Sequence, residues 1–253
     1  MLEKRIIPAL LLRDSGLVKT TKFKDPKYIG DPINTVKIFN DKQADELIIM
    51  DIEASAKDQG PNFELLSELA TEAFMPLCYG GGVKDTATME KLFKIGIEKV
   101  SLCSASLKNK NLFKEAAKMF GSQSVVASIN VGKSGLFKKF QVFGGETKLS
   151  PLELAREYQE LGAGEVLFNF TYNDGMCNGY DLDFLKEATS VLNIPVIALG
   201  GAGTENHLIE GLKAGADAVA AGSMFIYHGP HKAVLINYPD RTKILNILDK
   251  AKG

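Results

Sequence analysis

The sequence repeats itself at a fixed offset, and that repeat limits the possible fold more than any single motif does. Glu46 and Glu165 stand 119 positions apart, as do Pro76 and Pro195, Gly81 and Gly200, Gly82 and Gly201, Gly96 and Gly215, and Ser104 and Ser223. MPLCYGGGVKDTATMEKLFKIGIEKVSLCSAS and IPVIALGGAGTENHLIEGLKAGADAVAAGSM share one order: apolar strand, glycine cluster, helix ending near glycine, second apolar strand. Self-similarity over such a long period reports the architecture itself.

Each half has room for four βα units. Strands are expected over 5–12, 46–50, 77–79 and 99–102 in the first half, and over 124–130, 165–170, 196–199 and 218–221 in the second. Helical patterns lie between them, for instance over 62–73, 87–95 and 151–161. Continuous apolar strands alternating with amphipathic helices indicate a parallel sheet covered by helices. Eight units in 253 residues suit an α/β fold of the (β/α)8 TIM barrel type, built from two (βα)4 halves. A doubly wound sheet is the alternative, but a two-fold repeat of four units closes more naturally into a barrel. One domain is expected over 1–253, with half-barrels roughly over 1–120 and 121–240.

Composition excludes several classes. A formal charge of −1 gives no global bias toward nucleic acid. The opening MLEKRIIPALLLRDSG lacks the long apolar core of a signal peptide, and no run approaches a membrane span. Cys78, Cys103 and Cys177 are odd in number and lack metal-ligand spacing, so they read as reduced thiols of a cytoplasmic protein. His207, His228 and His231 are too scattered for a zinc site, and neither metal nor cofactor is expected.

In barrels of this class the ligand sits at the C-terminal ends of the strands. There, Gly80, Gly81 and Gly82 follow one strand, and Gly200, Gly201 and Gly203 follow its repeat partner. Glycine lets backbone N–H groups approach an anion without a Cβ in the way. The next strand of each half ends at Cys103–Ser104 or Gly222–Ser223, a hydroxyl at a helix start. One such cluster would read only as a tight βα turn. Two at the same offset, each with a small hydroxyl residue, favour a ligand with a phosphate at each end.

KRIIP, GDP at Gly30–Pro32, DELIIMDIEAS, YGGGV, FGSQSVVASI, GAGEVL, NDG, GYD and GGAG carry a family resemblance over about nine-tenths of the chain. The sequence resembles the cyclase subunit of imidazole glycerol phosphate synthase, the HisF family of histidine biosynthesis. The resemblance implies a HisH-like glutaminase partner in a heterodimer, with ammonia passing through the barrel to a ribonucleotide bearing two phosphates. The products would be imidazole glycerol phosphate and an aminoimidazole carboxamide ribotide. It implies an ammonia gate at Arg5, Glu46, Lys99 and Glu165, all charged and all at strand starts. Two cations facing two carboxylates can close a ring of charge-assisted hydrogen bonds. Asp51, Asp174 and Lys19 match positions near the family's substrate site, and Gly175, in NDG, joins the phosphate-binding positions. Lys19 falls in LVKTTKFKDPKYIGDP, expected to be a mobile loop whose lysines could fold over a phosphate.

Two positions depart from the family. Its general acid and base are aspartates at the ends of the first and fifth strands, where this chain has Leu11 and Asn130, again 119 apart. Leucine has no proton to exchange, and asparagine does not titrate near neutrality. A positioned acid or base is worth about 10²–10⁴-fold in rate, so losing both should cripple the usual cyclisation. Asp51 and Asp174 remain as substitute proton carriers, while Asp14 lies in the following loop and is a poor one. LLLRDSGLVKT and IYHGPHKAVLINYPD resemble HisF-like paralogues of bacterial surface-polysaccharide synthesis, which work beside a glutaminase homologue and a separate amidotransferase. Three functions are therefore weighed: a cyclase with an altered site, an ammonia-receiving partner with little or no cyclase activity, and, last, a sugar-phosphate isomerase. The second is expected.

Overall fold

Alternation of side chains along each strand divides the apolar residues into two cores. Ile7, Ala9, Ile48, Cys78, Val126, Leu167, Ile197, Ala218 and Ala220 face one another inside the barrel. Their sequence neighbours, among them Ile6, Leu10, Leu47, Ile49, Leu77 and Tyr79, pack outward against helices. Continuous apolar runs are what a sheet buried on both faces demands. A computed structural model describes residues 3–55, 57–134, 139–229, 231–240, 242–244 and 246. Met1 and Leu2 of the MLEKRIIP resemblance, Pro230 of IYHGPHKAVLINYPD, and parts of the expected 1–253 domain lie outside the described residues.

Eight parallel strands form the barrel: β1 (Arg5–Arg13), β2 (Leu47–Asp51), β3 (Leu77–Gly80), β4 (Lys99–Leu102), β5 (Val125–Ser134), β6 (Glu165–Phe170), β7 (Val196–Leu199) and β8 (Ala218–Ala221). Each pairs with the next, and β8 closes onto β1 in a register running from Arg5↔Ala218 to Pro8↔Ala221. The fold is thus a closed (β/α)8 barrel. Several connecting helices begin where sequence chemistry directs. Asp31, Asn62, Asp85, Ser150, Asp181 and Thr204 each accept a hydrogen bond from a first-turn amide. Ser150 and Glu153 add a reciprocal capping box. Removing such a cap costs about 1 kcal/mol.

Boundaries shift by a residue or two from expectation. Glu46 precedes β2 rather than opening it, and the helices run Phe63–Glu72, Thr86–Lys94 and Pro151–Glu160. Strand β5 extends well past the expected end and pairs with Lys139–Val142. The larger correction concerns the segment expected to be a mobile loop. Gly16–Thr21 folds back on β1 (Leu11↔Val18) and pairs in turn with Lys24–Gly30. Leu17 and Val18 are buried, so the segment is a β-hairpin anchored by its apolar residues.

The C-terminal stretch forms a small structure of its own. Tyr227–His228 pairs with Ala233–Val234, and the chain then continues without regular secondary structure to Asp240. Leu235 N donates to Ile226 O and Asn237 N to Phe225 O. The Tyr238 ring packs on Phe225 at 5.7 Å, and Phe225 on Phe39 at 6.4 Å. Among the described residues no helix is long and apolar enough to cross a membrane.

Candidate functional site

Strand alternation places the charged and polar residues at both ends of the barrel interior. On β1, Arg5, Ile7, Ala9 and Leu11 share the inward face, so Arg5 sits at one mouth and Leu11 at the other. Lys99, Ser101 and Cys103 continue along β4, Ser128 and Asn130 along β5, and Glu165, Leu167 and Asn169 along β6.

At the N-terminal end, Arg5, Glu46, Lys99 and Glu165 close a ring. Arg5 Nη1 lies 2.6 Å from Glu46 Oε2 and 3.1 Å from Glu165 Oε1. Lys99 Nζ lies 2.8 Å from Glu46 Oε2 and 3.1 Å from Glu165 Oε1. Burial alone would lower the pKa of Lys99, but Glu46 and Glu165 outweigh it and hold the ammonium above its ordinary range. Arg5 is raised in the same way, burial being outweighed by Glu165 and Glu46. The Glu46 side chain is only 2% exposed. Cys78, paired with Lys99 in register, is buried next to this ring, and desolvation followed by Glu46 pushes its thiol up. The same end of the barrel exposes two large apolar side chains, Phe74 (86%) after the helix Phe63–Glu72 and Met119 (57%) near the end of the helix Asn111–Phe120.

At the C-terminal end the strands open on a cavity of about 360 Å³. Leu11, Lys19, Asp51, Gly81, Gly82, Cys103, Ser104, Asn130, Asp174, Gly175, Gly200, Gly201, Gly222 and Ser223 all line it. Gly81 and Gly200 have φ of +132° and +97°. A Cβ on Gly81 would fall 2.5 Å from Asp51 O, and one on Gly200 2.8 Å from Phe170 O. Only glycine fits where these turns brush the neighbouring strand end. The short helices Ser104–Lys108 and Ser223–Ile226 carry no side-chain cap. Gly203 is set apart from the other glycines: it packs against Cys177, and its N–H donates to His207 Nδ1.

The floor of the cavity is a neutral relay. Asn169 Nδ2 donates to Asn130 Oδ1 at 3.2 Å, and Asn130 Nδ2 donates to Cys103 Sγ at 3.6 Å. Burial pushes the Cys103 thiol up to about 11, so it stays protonated near neutrality. Beside the relay, Leu11 supplies only an apolar side chain. Asp51 Oδ1 accepts from the amides of Glu53 and Ala54, bracing its own loop. Asp174 Oδ2 accepts from Thr20 Oγ1 at 2.8 Å and Phe23 N at 3.2 Å, which latches the hairpin across the mouth. Phe23 and Phe143 meet edge to face above it. Lys19, read from sequence as a loop lysine, is 5% exposed and donates to Ala9 O at 2.6 Å. Burial brings its pKa down to about 8, with Asp174 opposing. Its ammonium sits where a Cβ on Gly222 would be.

Sequence reading missed Ser101, Ser128 and Asn169, which line the cavity floor. Counting by twos from Lys99 and Glu165 would have found Ser101 and Asn169. Among the described residues no cluster of three or more His, Cys, Asp or Glu side chains could hold a metal ion.

The fold and its two ends define a (β/α)8 barrel with a ligand-sized mouth and an ion-paired opposite end. Residues 5–232 match the histidine biosynthesis protein family, and the chain belongs to it. It is 49% identical over 249 residues to a Pseudomonas aeruginosa protein provisionally named imidazole glycerol phosphate synthase subunit hisF2, covering 96% of this chain and 99% of the other. A Leptospira borgpetersenii protein with the provisional subunit name HisF is 47% identical, covering 96% and 97%. The imidazole glycerol phosphate synthase subunit HisF of Petrotoga mobilis is 39% identical over 231 residues, covering 90% and 92%.

Proposed function

We propose that this chain is a HisF-type synthase subunit that takes ammonia from a HisH-like glutaminase docked on the ring face and binds a bis-phosphorylated small molecule at its mouth. In this reading it does not perform the usual cyclisation. The observation that carries it is the contrast between the two ends. Arg5, Glu46, Lys99 and Glu165 form a complete ring, whereas the acid and base positions hold Leu11 and Asn130. A ring of this kind blocks ions and opens for a small neutral molecule. Ser101, Ser128 and Asn169 give that molecule polar neighbours between ring and cavity. Exposed Phe74 and Met119 suit a partner's docking surface around the ring.

The glycine turns at Gly81–Gly82 and Gly200–Gly201, with Ser104, Gly175, Gly222 and Ser223, serve as the two phosphate cradles, and Lys19 supplies a cation to one of them. Asp51 and Asp174 act as loop braces, since each already accepts two hydrogen bonds through one oxygen. The ammonia goes on to a separate amidotransferase of surface-polysaccharide synthesis, a destination supported by the LLLRDSGLVKT and IYHGPHKAVLINYPD resemblances. The chain acts as one domain of two half-barrels and works in the cytoplasm.

A second reading has one observation in its favour. The mouth keeps both glycine turns and their hydroxyls, which a pure conduit does not need, and this supports a cyclase subunit of histidine biosynthesis. Turnover of the ribulosyl imidazole-carboxamide substrate, with excess ammonium salt at alkaline pH, separates the two. Free ammonia bypasses the glutaminase, and a HisF with both aspartates is the positive control. The expected result is no turnover by this chain and partial rescue by the double variant Leu11→Asp, Asn130→Asp. Robust turnover by the unmodified chain would restore the cyclase reading.

A further inference from the structure

The C-terminal segment reaches the backbone beside the ring from outside the barrel. Tyr238 projects its hydroxyl to the base of β1, donating to Ile6 O at 2.8 Å and accepting from Asp45 N at 3.2 Å. Ile6 N in turn donates to Asp45 Oδ2 at 2.8 Å. Ile6 follows Arg5, and Asp45 precedes Glu46, so both hydrogen-bonded segments adjoin ring residues. Arg5 and Glu46 form the shortest contact in the ring, 2.6 Å. Two backbone segments that must stay in register for that contact are therefore fastened to each other by one phenol and one carboxylate. The phenol is held in place from behind by Phe225.

We propose that Tyr238 is a positioning residue for the ring: its hydroxyl joins the backbone beside Arg5 to the backbone beside Glu46 and so holds the four-membered ring closed. This rests on the reading of the ring as the ammonia passage. The brace comes from outside the barrel interior, through a phenol that packs on Phe225.

The test is the rate at which an acetylating reagent labels Lys99 in the full chain, read by mass spectrometry. In the closed ring the Lys99 ammonium bridges two carboxylates and its side chain is 16% exposed. Lys4, at the same end of the barrel but bonded to Ala216 O and Asp217 outside the ring, is the internal control. Tyr238→Phe keeps the ring packing on Phe225 and removes only the hydroxyl. It removes both bonds of the brace and should raise Lys99 labelling at least about fivefold, the factor that even one ordinary hydrogen bond contributes to an opening equilibrium, with Lys4 unchanged. Tyr180→Phe, which loses a tyrosine bond to Ala220 O on a strand that carries no ring residue, should change neither. Should Tyr238→Phe fail to fold, Asp45→Asn weakens the same brace from its other side and must raise Lys99 labelling instead. A rise shared equally by Lys99 and Lys4, or no rise at all, overturns the assignment. The chain is tested alone and without ammonia, so that result would leave the passage itself to its own assay.

Discussion

Replacing Lys99 with methionine should cost the barrel about 2–3 kcal/mol, mostly through what it leaves behind. Lys99 Nζ stands 2.8 and 3.1 Å from two carboxylates. In an effective dielectric of about 20, each attraction is roughly 5–6 kcal/mol before desolvation. Desolvation of the three groups and repulsion from Arg5 take back most of that. Breaking a buried pair nevertheless costs about 3–5 kcal/mol, because an uncompensated charge remains. Here Arg5 still bridges both carboxylates, and methionine fills the space of the lysine stem, so the cost should fall at or just below the bottom of that range. Urea denaturation of parent and variant measures it. Adding Glu46→Gln to Lys99→Met should return part of the loss, leaving one cation facing one carboxylate. The pH dependence follows from the sign of the shift: the folded pKa of Lys99 is raised above 10.5. Its contribution is therefore full below 10.5 and fades as pH climbs through the folded value, so the gap between parent and variant should hold from pH 7 up to about 10 and close only above 10.5. A gap under about 0.5 kcal/mol at neutral pH, the scale of an exposed ion pair, would refute the reasoning.

Three further outcomes are expected. Cys103, with its pKa raised to about 11 by desolvation, should react with a thiol-alkylating reagent far more slowly at pH 7 than exposed Cys177, and speed up as pH nears 11; equal rates at neutrality would contradict the protonated thiol of the relay. Lys19→Met should stabilise the folded chain by up to about 3 kcal/mol at pH 7, because a folded pKa near 8 against 10.5 unfolded makes the ionised lysine unfavourable to bury, and the gain should vanish between about pH 8 and 10.5; the same variant should bind inorganic phosphate more weakly by calorimetry. Asp174→Asn weakens the latch on Thr20 and Phe23, so amide hydrogen exchange over residues 16–30 should quicken about tenfold with the barrel strands unaffected.

The barrel was legible because the sequence states its strands twice. Apolar runs marked all eight, and β4, β6, β7 and β8 fall where the runs predict them. The ring was legible as four charges at strand starts, although only the family resemblance grouped them. The hairpin over Gly16–Thr21 and Lys24–Gly30 was not: lysines interrupt its apolar alternation, and its stability comes from docking Leu17 and Val18 against the barrel. Lys19 shows the same limit, since nothing local tells a solvated lysine from one folded inward onto Ala9 O. Nor does adjacency to Gly200 and Gly201 announce that Gly203 packs against Cys177. The brace by Tyr238 joins residues 232 positions apart in sequence, a separation that no local pattern announces.

The relay beneath the cavity has a direction. Asn169 donates a hydrogen bond to Asn130, which donates one to Cys103, so the donors all point from β6 toward β4. A ligand lying across it meets acceptor character at the Asn169 carbonyl and a thiol hydrogen at the far end. Such a floor distinguishes the two ends of an otherwise symmetric molecule, and does so with groups whose charge stays constant across the physiological pH range. Where a pair of aspartates would make the grip on a ligand bend with acidity, this surface reads orientation and is indifferent to the proton concentration around it.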